Sequence, residues 1–159
     1  MLNGPRTGHT AFIDAGGLDE CFPTVRGTPD HGGLWNQPWD GPTDAPWITD
    51  TWPTSLELNV YGPSDGTAIG AVLVDCPTVS VEDRGAVLTL QLSCPGQPVS
   101  TALWRNQAGF PIGAPYRSLG VEPMLGRVVD LAEAGPGDAA VVPASGELTW
   151  RLTVSARPV

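Results

Sequence analysis

The chain has no lysine, only two histidines and three cysteines. It also has no apolar run near the roughly 20 residues needed to span a bilayer. Each shortage removes a class of function. All 8 basic residues are arginines, scattered along the chain against 17 acidic residues, for a formal charge of −9. Such an acidic field repels phosphate backbones and anionic lipid, so neither nucleic acid nor a membrane surface is an expected partner. Cys21, Cys76 and Cys94 are too few and too widely spaced for a disulfide framework or a zinc cluster. The segment from Met1 to Arg6 lacks the apolar core of a signal peptide, which makes the cytoplasm the default location. No G-x-G-x-x-G fingerprint, phosphate-binding loop or G-x-S-x-G elbow occurs. Asp19, Glu20, Cys21 and His31 match no standard ligand spacing, so neither a metal nor another cofactor is expected.

What is present suits turns and short strands. At 159 residues, with 41% hydrophobic and 16% charged, the chain fits one domain over 1–159 with a real core. Its 20 glycines and 17 prolines are spread out, as expected for many turns. Leu148, Trp150, Leu152 and Val154 alternate with Thr149, Arg151, Thr153 and Ser155, the period of a strand with one buried face. Leu88, Leu90 and Leu92 repeat that pattern, as do Leu56, Leu58 and Val60. The apolar run Ile69 to Val74 suits a more deeply buried strand. Thr101 to Arg105, Leu119 to Val121 and Ala139 to Val142 are further strand candidates. Arg127 to Ala134 reads as about two helical turns stopped by Gly135. The segment from Asp40 to Pro53 reads as a connection, and the first third as irregular and glycine-rich. Strands at intervals of about ten residues with turn signals between them predict an all-β sandwich.

Few side chains can carry chemistry. His9 sits in a polar context and reads as solvated. His31 lies in Pro29-Asp30-His31-Gly32-Gly33-Leu34-Trp35, with Trp39 just beyond. Asp30 can fix the turn, the glycines let the backbone approach a ligand, and the indoles offer flat apolar faces. A histidine in that setting suits a sugar, whose C–H faces stack on aromatics while its hydroxyls need polar partners. A turn with two core tryptophans and an exposed histidine fits the same residues. Glu122, after Gly120 and Val121 and before Pro123, is either a partly desolvated general base at a strand end or an ordinary surface glutamate.

Gly16, Gly17, Cys21, Phe22, Pro23, His31 and Gly32, followed by Trp35 and Trp39, resemble the aldose 1-epimerase (galactose mutarotase-like) family, especially its glucose-6-phosphate 1-epimerase branch. Leu119-Gly120-Val121-Glu122-Pro123 looks like that family's glutamate motif. The likeness covers about residues 12–39 and 100–157 and implies a shortened member with a reduced central region. It implies a β-supersandwich and a metal-free reaction in which the ring opens, C1–C2 rotates and closure gives the other anomer. Glu122 matches the base that takes the anomeric proton, and His31 the first of two histidines, which holds and polarises the sugar. Glu20, Asp30 and Trp35 would lie around the same site, and Trp104 would add an apolar face.

Two departures accompany the likeness. Ala15 stands where the branch has an arginine before its glycine pair, and no histidine occurs between Trp39 and Trp104. The expected ligand is therefore a monosaccharide or sugar derivative, with a non-catalytic carbohydrate-binding domain as the alternative to an isomerase. The reduced length also leaves an edge or apolar patch suited to a homodimer.

Overall fold

The computed structural model describes residues 11–15, 24–27, 44–46, 60–61, 63–64, 66, 68–111 and 113–159. These build two antiparallel sheets with no α-helix among them. In chain order the strands are β1 (Ala11–Ala15), β2 (Thr24–Gly27), β3 (Asp44–Pro46), β4 (Val60–Tyr61) and β5 (Ala68–Val74). They continue as β6 (Thr78–Asp83), β7 (Ala86–Ser93), β8 (Val99–Gln107), β9 (Arg117–Leu125) and β10 (Arg151–Pro158). One sheet runs β3-β2-β5-β8-β9 and the other β10-β7-β6-β1-β4. The expected all-β sandwich is the fold.

The core lies between the sheets. Leu73, Leu103 and Leu119 enter it from the first, Val79, Val81 and Leu92 from the second, and all are buried. β5 is buried along both faces wherever its side chains are described, as its unbroken apolar run foretold. The β6–β7 hairpin turns through Arg84 and Gly85, both at positive φ (49° and 79°), the pair of left-handed residues that a two-residue hairpin turn uses. Near one end of the sandwich the buried Tyr61 ring lies under the Arg117 guanidinium, 4.6 Å from its carbon to the ring centroid. Burial pushes the Tyr61 phenol above its ordinary value, against the opposing pull of Arg117 and Arg105.

Several expectations need correcting. β8 and β9 are each 9 residues, well beyond the segments that alternation suggested. Small and polar residues such as Ser100, Asn106 and Ser118 sit buried inside those strands and mask the pattern. Arg127 to Ala134 is not a two-turn helix but a single 3-10 turn, Leu131–Glu133, with Asp130 Oδ1 accepting from the Ala132 N–H. Its leucine is exposed, so no packed face rewards a longer helix. Ala139 to Val142 forms no strand, and Val141 and Val142 are exposed. β1, β2 and β3 fall in stretches read as irregular or as a connection, where pairing of β1 with β6, β2 with β5 and β3 with β2, and not local pattern, makes the strand. Of Leu56, Leu58 and Val60, only Val60 lies among the described residues, in β4.

The final strand departs most. It begins at Arg151, past Leu148 and Trp150, and all of its residues are exposed. Its register sets Leu152, Val154 and Ala156 beside Leu92, Leu90 and Leu88 of β7, so its apolar stripe continues the core face of the sheet. β10 is the edge strand of its sheet, and the stripe stays exposed.

Candidate functional site

The candidate site is built on β8 and β9, on the face of their sheet turned away from the core. Successive side chains on a strand alternate between faces, and the register places Trp104 beside Gly120 on β9 and Gly70 on β5. One step along, Glu122 pairs with Ala102, and one step the other way Asn106 pairs with Ser118. The indole of Trp104 thus lies between two glycines, with no Cβ on either flank.

Gly120 decides the local geometry. A Cβ added there would come within 3.0 Å of Glu122 Oε1 and 3.1 Å of Trp104 Cβ. The carboxylate of Glu122 therefore leans back along β9 over the glycine, beside the tryptophan. Glu122 itself is exposed and lies inside β9 rather than at a strand end, so the desolvation expected there is absent.

An aromatic wall stands next to this pair. The Trp104 and Phe110 rings meet edge to face, with centroids 5.9 Å apart and planes at 85°. Phe110 is held by Asn106, which is 0% exposed. Asn106 Oδ1 accepts from the Gly109 and Phe110 N–H groups at 3.0 and 3.1 Å, while Nδ2 donates to the Phe110 carbonyl at 2.8 Å. One amide side chain thereby fastens the start of the β8–β9 loop. Neither Asn106 nor Phe110 was foreseen as part of a site. The Asn106-to-Pro111 stretch, with its glycine and proline, signalled a turn but gave no hint of which ring the turn would present.

Of the residues expected to form the site, the structure brings Glu122 and Trp104 together on one face. His31, Glu20, Asp30 and Trp35 lie outside the described residues, as do His9 and Cys21. Among the described residues, no cluster of histidine, cysteine and carboxylate side chains could hold a metal. Nor is any helix among the described residues long and apolar enough to cross a membrane.

An open groove of about 790 Å³ lies elsewhere, at the β7–β8 turn, lined by residues that include Gln91, Cys94, Gln97, Asp75 and Arg127. Its opposite charges engage each other, with Arg127 donating to both carboxylate oxygens of Asp75 at 2.8 and 3.1 Å. That contact and the carboxylate's field hold the guanidinium's pKa above its ordinary value. Neither Trp104 nor Glu122, the expected site residues among those described, lines this groove, and the chemistry favours the Trp104–Glu122 face.

Compared with protein-family models, with curated proteins and with solved structures, the chain matches none.

Proposed function

We propose that the protein is an aldose 1-epimerase-like sugar isomerase acting on a monosaccharide in the cytoplasm. The observation that carries this reading is the Glu122 carboxylate lying over Gly120 beside the Trp104 indole. An exposed acceptor next to a flat apolar wall matches the two demands of a pyranose, hydrogen bonds to hydroxyls and stacking against C–H faces. The motif resemblance supplies the chemistry. Glu122 takes the proton from the anomeric hydroxyl, His31 holds and polarises the sugar, the ring opens, C1–C2 rotates, and closure gives the other anomer. Glu20, Asp30 and Trp35 complete the sugar's surroundings in this reading.

A second reading is a carbohydrate-binding domain without turnover. It is favoured by the histidine count, since His9 and His31 are the only two and none lies between Trp39 and Trp104. Without a partner acid, one half of a matched proton-transfer pair is missing, and such assistance typically contributes about 10²–10⁴ in rate.

Exchange spectroscopy on the anomers of glucose and galactose separates the readings in one sample. An isomerase speeds exchange above the buffer rate, and Glu122→Gln returns it there. Binding with exchange left at the buffer rate selects the second reading. Acceleration that survives Glu122→Gln removes Glu122 as the base.

A further inference from the structure

We infer that β10 is a homodimerisation edge, pairing antiparallel with β10 of a second copy about a twofold axis at Leu152. Three observations converge on it. Among the described residues no strand lies on the outer side of β10, so a row of backbone N–H and C=O groups faces outward, the kind of edge that templates pairing with another strand. The stripe on its core-side face is strongly exposed, at 41% for Leu152 and 56% for Val154, and Trp150 just before the strand is 56% exposed. Finally, the charges along the strand complement themselves in this register.

Taken about Leu152, antiparallel pairing sets Leu152 opposite itself and Trp150 opposite Val154 of the second copy. It sets Leu148 opposite Ala156, and Arg151 opposite Thr153. At both ends Glu147 meets Arg157, an opposite-charge pair across the seam. Two other registers fare worse. Centring on Val154 would put Arg151 opposite Arg157 twice, a like-charge contact. A slip by a single residue would bring apolar side chains against the polar face. Glu147, Thr149 and Trp150 are exposed and lie outside any strand, so they are open to extend the pairing. The contact is isologous, the same patch on both copies, and so closes at two. The charge of −9 on each copy opposes association at low ionic strength, a repulsion screened over about 8 Å at physiological salt.

Sedimentation velocity across a concentration series at physiological salt tests this with the full chain. The wild-type protein shifts from monomer to dimer as concentration rises. Leu152→Lys and Leu152→Glu, each placing like charges at the twofold axis, sediment as monomers alone and as a heterodimer when mixed. Glu147→Arg weakens the dimer by roughly tenfold, the equivalent of about 1.4 kcal/mol, and adding Arg157→Glu restores it. Hydrogen exchange on the wild-type chain needs no variant: the amides of Leu152, Val154 and Ala156, which alternate with those bonded toward β7, gain protection with concentration. A wild-type protein that stays monomeric with no such protection overturns the inference. So does a dimer that Leu152→Lys and Leu152→Glu leave intact.

Discussion

Trp104 on β8 and Gly120 on β9 are direct cross-strand partners, and a Cβ on the glycine would stand 3.1 Å from the tryptophan's own Cβ. The same added carbon would lie 3.0 Å from Glu122 Oε1. A methyl group at 120 therefore requires the Glu122 carboxylate and the Trp104 Cβ to give way by a few tenths of an ångström.

Gly120→Ala is expected to weaken monosaccharide binding by at least about tenfold, near 1.4 kcal/mol, and to cost about 1–3 kcal/mol of stability through overpacking. Ligand-observed NMR and denaturant titration measure the two separately. Binding unchanged by the substitution would mean that a sugar does not use the Glu122–Trp104 pair.

Asn106→Ala removes three hydrogen bonds from a side chain with no solvent access. It leaves two buried or half-buried N–H groups and one carbonyl to find new partners. The expected loss is about 2–4 kcal/mol in urea unfolding. Asn106→Asp keeps the acceptor but buries a carboxylate oxygen against the Phe110 carbonyl, and so should cost at least as much as alanine at neutral pH.

Tyr61 sets a pH limit on stability. Its phenol is raised above the model-compound value of 10.0, chiefly by burial, so the folded state holds its proton more tightly than the unfolded chain. The contribution is complete below pH 10 and is lost as pH climbs through the folded-state value, so stability falls on the alkaline side. Among the described residues the hydroxyl has no hydrogen-bond partner, and Tyr61→Phe is therefore expected to sacrifice none. Melting curves across the alkaline range should show a shallower decline for Tyr61→Phe, with little change at neutral pH. An equal decline in both proteins would place the alkaline sensitivity elsewhere.

The Arg127–Asp75 pair is bidentate but lies largely in solvent, with side chains 32% and 57% exposed. Asp75→Asn is expected to cost no more than about 1 kcal/mol, and 0.5 M salt should shrink the difference from wild type. Asparagine tolerates the positive φ of 54° at this turn position, so the substitution reports the ion pair rather than backbone strain.

Much of the fold was legible where local pattern and tertiary role agree. The leucine alternation of β7 and the apolar run of β5 announced both strands and the contrast in their burial. Legibility failed where neighbours decide. β10 has a clean two-residue period, yet its apolar side is exposed, because a period shows that a strand has two faces and not what lies over either. β1, β2 and β3 are made strands by their partners. At the site, Glu122 stood out as a lone carboxylate after a glycine, and Trp104 on the neighbouring strand could be guessed. The part played by Gly120 was hidden, because a close approach between strands depends on register, which no local motif states.

The Asn106 clamp bears on how a ligand would be met. Because one fully buried amide ties down the loop that carries Phe110, the aromatic wall is set before anything binds. A sugar settling against Trp104 and Phe110 need not freeze that loop, and the ordering entropy that often erodes weak carbohydrate affinity is already met in folding. Calorimetry should accordingly find a smaller entropic penalty for the wild-type chain than for Asn106→Ala, in which the same rings must be brought to order by the ligand itself.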